Sequence, residues 1–367
     1  MWVPVGESRS LRKTPVRALY WGTPIAVFRT ASGRVGALHD VCAHRGVPLS
    51  LGAVAGETIR CNFHHFLFDV EGHCAGAPEV CGLDETRRQE LRVARFYARE
   101  ALGLVWVSID SAAPFPRLLL EASPADVVTG SFEVRGDLRV WMDHFLDSAH
   151  CLWTHAETAY GGSHDNAAVF ESIDIDIGPE SEYPVRSAVR MTFDLSRHRA
   201  RAHYSPVLRL LGAASRARRL FSRRRRDVPS APRNLEIDVD LVTPLCQYTH
   251  STYRSGGSQH GFEGVTGINP IGEGRNQFLF SGFFPRGARG RWTRWLQRLF
   301  LERFVPQHLG VEDARLLADT SFVPSERLVA ARTDATVLAM RAMFSRYRAA
   351  KGHLYPEGSL IHRLDYH

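Results

Sequence analysis

The chain has 367 residues, of which 44% are hydrophobic and 23% are charged, a composition typical of a globular protein large enough for two or three domains. The net charge of +7 is local, because residues 197–233 contain twelve Arg and one Asp, giving +11 there and leaving −4 elsewhere, which argues against a nucleic-acid-binding protein. The first residues, MWVPVGESRS, do not show the basic segment followed by an apolar run that is typical of a signal peptide. No uncharged run approaches the roughly 18 residues of a membrane span, so we expect a cytoplasmic protein.

Residues 1–116 have the pattern of a small all-β domain. Four β-rich runs bounded by Gly or Thr-Pro predict strands at 16–21, 24–28, 35–38 and 102–109. The segment 110–116 contains two prolines and no regular period, and it predicts the domain boundary.

Residues 117–367 mix strands with helices and predict an α+β domain. Helical patterns at 138–156 and 335–350 enclose six strand-like runs, at 168–177, 185–195, 235–243, 246–254, 264–271 and 276–284. This order favours an antiparallel sheet with helices on one side.

Two basic stretches stand apart from this pattern. We interpret the Arg-rich segment 197–233 as an insertion that forms a solvated loop, with a surface for anionic lipid or an acidic electron-donor protein as the alternative. The stretch 286–298 mixes Arg with Trp292 and Trp295, which favours a helix packed on the core over a rim facing a membrane.

A first group of metal-ligand residues follows the pattern C-x-H, sixteen residues, then C-x-x-H: Cys42, His44, Cys61 and His64. Two thiolates and two imidazoles suit a tetrahedral zinc ion or a [2Fe–2S] cluster with both His on one iron. Zinc ligands usually come in like pairs, whereas each piece here mixes Cys with His, so the pattern favours the cluster. The other cysteines are interpreted as small apolar residues of a chain without disulfides: Cys74, Cys81, Cys151 and Cys246.

A second group lies about a hundred residues further on. His150 and His155 are about 140° apart on a regular helix, so they share a metal only where the helix has an irregular turn. Asp147, one turn before His150, can accept its ring N–H and orient it. Two His and one carboxylate give the open site of a non-haem Fe(II) oxygenase.

The carboxylate of this second group must come from elsewhere in the chain. If residues 309–317 form a helix, Asp313 shares an apolar face with Leu316 and Leu317, and a buried carboxylate needs a cation. We therefore expect Asp313 as the ligand, Glu312 as a solvated residue and Asp319 as the third choice.

At these residues the chain resembles the Rieske non-haem iron oxygenases, in particular the oxygenase (alpha) components that act alone: aromatic ring hydroxylases, O-demethylases and pheophorbide a oxygenase-like enzymes. The resemblance implies a Rieske [2Fe–2S] domain followed by a catalytic helix-grip domain. It implies that His150, His155 and Asp313 hold a mononuclear Fe(II), and that Asp147 bridges to a cluster histidine of a neighbouring subunit in a homotrimer. After the second Cys the family pattern is Pro-Tyr-His-Gly-Trp, so this chain departs from it at Asn62, Phe63, His65 and Phe66. His144 stands where the family often has Asn, so the contact that this Asn makes behind the metal ligands is in question here. An orienting or packed histidine is the preferred interpretation over a ligand.

The resemblance also implies the activity. Electrons from NAD(P)H would pass through a ferredoxin or flavin reductase and the cluster to the iron, which uses O2 to hydroxylate, demethylate, desaturate or cyclise a small apolar organic substrate. Aromatic candidates for the pocket are Phe145, Trp153, Phe170, Phe278, Phe280, Phe283 and Phe284. The alternatives are a Rieske-type electron carrier with no oxygenase activity and a zinc-stabilised binding protein.

Overall fold

The computed structural model describes residues 1–116, 119, 127–147, 150, 154, 170–177, 187–194, 234–255, 258–283, 295, 298–299, 302 and 310–366. All statements about the structure refer to these residues. Among them, no helix is both long and apolar enough to cross a membrane.

The first part of the chain is built from ten short strands in two antiparallel sheets. These are β1 (Val3–Glu7), β2 (Val16–Tyr20), β3 (Thr23–Arg29), β4 (Val35–His39), β5 (Ala53–Ala55), β6 (Thr58–Arg60), β7 (Leu67–Phe68), β8 (Cys74–Gly76), β9 (Arg95–Ala101) and β10 (Leu104–Ser108). Six strands pair in the order β1-β10-β9-β4-β3-β2, and β5 to β8 form a four-stranded sheet in chain order. A short helix, α1 (Glu85–Glu90), precedes β9.

The second part contains a seven-stranded antiparallel sheet. Its strands are β11 (Val128–Arg135), β12 (Phe170–Ile177), β13 (Ser187–Asp194), β14 (Asn234–Thr243), β15 (Cys246–Ser255), β16 (Ser258–Gly272) and β17 (Arg275–Phe283). They pair in the order β11-β17-β16-β15-β14-β13-β12, so the first strand lies beside the last. The described helices here are α2 (Leu138–His144), α3 (Val311–Leu317), α4 (Ala335–Lys351) and α5 (Leu360–Arg363).

Period-2 alternation along β17 divides the apolar core between the two faces of this sheet. Phe278 and Phe280 belong to the main cluster, which also contains Trp141 of α2 and Phe344 of α4. Leu279 and Phe283, on the opposite face of the sheet, belong to a second cluster that also contains Trp106 of β10. The main cluster also includes buried residues of β1 and β3, so the first sheet packs against the second through one continuous core.

The α+β architecture is confirmed. Each predicted strand overlaps an observed one, and α4 matches the predicted helix at 335–350. The sequence patterns did not predict β1, β9 or β11. They also missed β5 to β8, because strands of two or three residues are too short to show a period. The boundary at 110–116 stays a prediction, and the insertion 197–233 and the stretch 286–294 lie outside the described residues. The expectation that the Trp side chains of 286–298 pack on the core is wrong for Trp295, which is 54% exposed.

Candidate metal centres

The four residues Cys42, His44, Cys61 and His64, called the front site, lie on two loops with the same hydrogen-bond pattern. In each loop the Cys N–H donates to the carbonyl five residues later, at 2.9 Å in both cases. The Cys carbonyl accepts from the N–H four residues later, which belongs to Gly46 in one loop and to His65 in the other. Both of these residues have positive φ, +74° and +56° respectively. The chain therefore builds two equivalent turns, and each presents one Cys and one His.

The two loops bring all four side chains of the front site together. Cys42 and Cys61 are buried, unbridged thiols that lie close enough to influence each other's ionisation. The rings of His44 and His64 lie edge to face, with centroids 4.7 Å apart. The Nδ1 atom of His44 is buried and has no hydrogen-bond partner. A buried ring nitrogen without a partner is costly unless a bound group uses it.

The electrostatics of the thiols point to the same conclusion. Burial first, and then the neighbouring Cys61, raise the pKa of Cys42 to about 11, although the N–H groups of His44 and Arg45 act in the opposite direction. Burial and the nearby His64 lower the pKa of His44, which favours its neutral form. Iron or zinc ligands are thiolates and neutral imidazoles, so a bound cation supplies the charge that the thiolates need. The residues present fit a [2Fe–2S] cluster.

Asp40 fixes the end of the first loop. Its carboxylate is fully buried and accepts two hydrogen bonds from Ser50, from the N–H and from the hydroxyl, each at 2.7 Å. The second loop is joined to the first by the Asn62 side chain, which donates to the carbonyl of Leu51 at 2.5 Å. Asn62, where the family pattern has Pro, therefore supplies a contact that Pro cannot make.

A second group, called the rear site, lies where α2 ends. The His150 N–H donates to the Asp147 carboxylate at 3.2 Å, and its ring Nδ1 faces the Asp147 backbone carbonyl. The carboxylate itself is 3.9 Å from Nδ1. The ring orientation expected from the sequence is present, but the nearer acceptor is the carbonyl rather than the carboxylate. With Nδ1 engaged, Nε2 is the nitrogen that can bind a metal.

Asp313 completes the rear site from α3. Its side chain is buried, and its Oδ2 lies 3.3 Å from Nε2 of His144. One ligand atom from each of His144, His150 and Asp313 lies within 4.8 Å of the others. Of the alternative carboxylates, Asp319 is exposed. The predicted apolar face was wrong in one respect, because Leu316 is 56% exposed and the buried side of α3 runs from Asp313 to Leu317 instead.

His155 lies outside the described residues, so its place in the metal site stays a prediction. The sequence favours an orienting or packed role for His144 over a ligand, because the related pattern has Asn at this position. The structure places it with His150 and Asp313. Its spacing of six residues from His150 was the available signal, and it was weak because a turn of unknown shape separates α2 from His150.

A buried ion pair that the sequence did not reveal holds α2 in place. The Asp143 carboxylate accepts from Nε of Arg341 at 3.1 Å, from another nitrogen of the same guanidinium, and from the Tyr366 hydroxyl at 2.5 Å. Burial raises the pKa of Asp143, and the two partners counteract that rise. Arg341 and Tyr366 lie 198 and 223 residues after Asp143 in the chain, so no local sequence pattern could indicate these contacts.

A cavity of about 230 Å³ opens beside the rear site. Its polar lining consists of the three metal-ligand candidates together with Asp143, Asp147, Thr154, Asp334 and Arg341. Apolar side chains of α2, α3 and α4 and of Leu328 complete the wall. Among the aromatic candidates for a pocket, Phe145, Phe278 and Phe280 pack in the main core rather than line this cavity. Phe283 lies on the other face of the sheet, and Trp153, Phe284 and the side chain of Phe170 lie outside the described residues.

Comparison with known proteins agrees with the donor set of the front site. Residues 1–87, which include this site, match the model of the Rieske [2Fe-2S] domain. The whole chain has the fold of dicamba monooxygenase: a crystal structure with 3,6 dichlorosalicylic acid matches with a TM-score of 0.67 and 17% identity, over 96% of this chain and 97% of that one. NdmA of Pseudomonas putida CBB5 with caffeine matches with a TM-score of 0.66 and 16% identity, over 96% and 92%.

Sequence relatives are oxygenase components. The oxygenase subunit of 3-chlorobenzoate-3,4-dioxygenase from Comamonas testosteroni is 38% identical over 119 residues, which are 32% of this chain and 27% of the relative. The oxygenase subunit of vanillate O-demethylase from a Pseudomonas species is 30% identical over 159 residues, 41% and 46% of the two chains. The matched stretches thus span about a quarter to a half of the relatives' lengths. The resemblance to Rieske oxygenase components is confirmed.

Proposed function

We propose that the protein is the terminal oxygenase of a Rieske-type system, which oxidises a small apolar organic substrate with O2 and electrons from NAD(P)H. The observation that carries this proposal is the presence of two separate donor sets in one chain. The front site has two thiols and two imidazoles, and the rear site has imidazoles and a buried carboxylate beside a cavity. An electron carrier needs only the first set.

The proposed roles follow from the donors. Cys42, His44, Cys61 and His64 hold the cluster, which when bound supplies electrons one at a time. His150 and Asp313, with His155, hold a mononuclear Fe(II), which when bound supplies the site for O2 chemistry. The Asp147 carbonyl fixes the His150 ring, and the Asp143–Arg341 pair fixes the helix that leads into the turn.

Electron delivery in this proposal requires a partner reductase, of ferredoxin or flavin type, and a second copy of the chain. A homotrimer would place the cluster of one subunit beside the iron of the next, with Asp147 as the bridge. Asp147 supports this role because it lines the cavity and its carboxylate is 39% exposed, so a neighbour can reach it.

The substrate class rests on the cavity and on the relatives. Apolar side chains of Val140, Leu317, Leu328 and Val337 contribute to the cavity wall, which favours a substrate with an apolar body. The relatives are named for chlorobenzoate and vanillate, which are aromatic rings with a carboxylate, and for methylsterol, which is a lipid. Hydroxylation, demethylation, desaturation and oxidative cyclisation all remain within the proposed reaction class.

Metal and sulfide analysis of protein purified without air tests the proposal. We expect three irons and two labile sulfides per chain, with the absorption of a Rieske cluster. Two irons would instead indicate an electron carrier, and zinc without sulfide would indicate a zinc-stabilised protein. Either result contradicts the proposed function.

The variant Asp147→Asn tests the bridge. Because the Asn side-chain oxygen still accepts the His150 N–H, we expect both metal sites to stay loaded. Loss of the carboxylate should lower reductase-driven turnover at least tenfold, which corresponds to about 1.4 kcal/mol of activation free energy. The control is Asp319→Asn, since Asp319 is an exposed carboxylate that lies just after the end of α3. Equal turnover of both variants would remove Asp147 from the electron path.

A further inference from the structure

His144 occupies a buried position directly beside the two described metal ligands. It is the last residue of α2, and its side chain is 11% exposed. Its ring centroid is 4.1 Å from that of His150, and its Nε2 is 3.3 Å from Oδ2 of Asp313. We propose that His144 is a direct ligand of the mononuclear metal, an inference that rests on the proposed function because it requires the rear site to hold a metal.

The distances support a shared metal ion. Two ligand atoms that each lie about 2.1 Å from one metal are about 3.0 Å apart in adjacent positions and about 4.2 Å apart in opposite positions. The 3.3 Å between His144 and Asp313 fits an adjacent pair. All three ligand atoms lie within 4.8 Å of one another, so metal binding requires only small side-chain movements.

The competing role for His144 is a hydrogen-bond donor that orients the Asp313 carboxylate. In that role Nε2 carries the proton and points it toward Asp313. A divalent cation bound to Asp313 and His150 would then face the positive end of this N–H at about 3 Å, which is repulsive at short range in a buried site. Moving the proton to Nδ1 turns the Nε2 lone pair toward the cation and makes His144 a neutral ligand.

The surrounding structure restricts other positions of the ring. Trp141 packs edge to face against His144 at 5.8 Å, and the preceding residue, Asp143, is held by Arg341 and Tyr366. The His144 ring therefore stays near the metal whether it binds or not. A further protein ligand would leave one coordination position fewer for water, O2 or a substrate atom.

The experiment uses Co(II) as the metal probe at the rear site of the protein with its cluster intact. Loss of an outer partner of a metal ligand lowers metal affinity 10- to 100-fold, so a direct ligand should cost more. We expect His144→Ala, which removes every donor atom at this position, to weaken Co(II) binding more than 100-fold and to change the Co(II) visible spectrum. The exposed His353 provides the control variant, His353→Ala, which should leave both unchanged.

A second variant keeps the test independent of stability. His144→Cys should give a thiolate-to-Co(II) charge-transfer band, which arises only if residue 144 reaches the metal. An unchanged urea midpoint for unfolding of the second part of the chain shows that each variant is folded around the rear site. Absence of this band, with a change of less than 100-fold in His144→Ala, overturns the role of His144 as a ligand. If the unaltered protein binds no metal at the rear site, the proposed function itself fails.

Discussion

The front and rear sites differ in the sequence range of the contacts that hold them. Each loop of the front site is closed by hydrogen bonds between residues four or five positions apart. The rear site brings Asp313 together with His144 of α2, which lies 169 residues earlier in the chain. It also depends on the ion pair between Asp143 and Arg341, which are 198 residues apart. The front site is therefore a local structure, while the rear site exists only when distant segments are packed together.

This difference indicates which changes each site should tolerate. A local turn responds to the backbone preferences of single residues, with effects of about 1–2 kcal/mol. A site held by long-range packing responds to the loss of a buried partner, with effects of several kcal/mol. Substitutions chosen in each region test this contrast.

The largest effect is expected at Arg341. In Arg341→Met, the largely buried Asp143, whose side chain is 20% exposed, loses its charged partner. Removal of one partner of a buried ion pair typically costs about 3–5 kcal/mol, and we expect a value near the lower end of this range because solvent reaches Asp143. We expect a lower urea midpoint for unfolding of the second part of the chain and weaker metal binding at the rear site. The spectrum of the front site should not change, because none of its hydrogen bonds involves α2 or α4.

The control for Arg341 is an exposed pair of the same chemistry. Arg275 and Glu133 pair across β17 and β11 at 2.8 Å, with side chains 59% and 47% exposed. Solvent screens such a pair, so Arg275→Met should cost about 0–1 kcal/mol. Equal losses for the two variants would contradict the importance of the buried pair for the rear site.

The next effect is expected at Gly46 in the first cluster loop. Its φ of +74° lies in the left-handed region, and an added Cβ would meet no atom within 4 Å. Gly46→Ala therefore measures the backbone cost alone, about 1–2 kcal/mol. We expect faster loss of the cluster absorption in urea with no change in Co(II) binding at the rear site. An unchanged rate of loss would show that this turn does not depend on Gly.

The smallest effect is expected at the equivalent position of the second loop, and with the opposite sign. His65 is exposed and holds a φ of +56°, which a residue with a Cβ adopts at a cost. His65→Gly removes that cost but adds backbone freedom to the unfolded chain, so we expect a net gain of about 0.5–1 kcal/mol. The measurement is the same urea assay. A destabilised variant would mean that the His65 side chain makes a contact that outweighs the strain.

The proximity of the two loops of the front site could be expected from the sequence because each of its features is local. Cys-x-His and Cys-x-x-His lie within single turns. The burial of Asp313 could also be expected, since it lies on a helix beside leucines; that these residues bind metals stays a prediction. The position of His144 relative to His150 could not be predicted, because it depends on the turn between them. Arg341 and Tyr366 could not be predicted because burial by distant segments determines their partners.

The order of strands in the large sheet affects how the protein is made. β11 pairs with β17 along its whole length, from Val128 with Gly282 to Arg135 with Arg275. On the ribosome, at about 5–20 residues per second, the 198 residues between Asp143 and Arg341 take on the order of 10–40 s to synthesise. The nascent chain can therefore close the two loops of the front site well before the partners of Asp143 have been made. Under the proposed function, the topology of the fold lets the front site form earlier than the rear site.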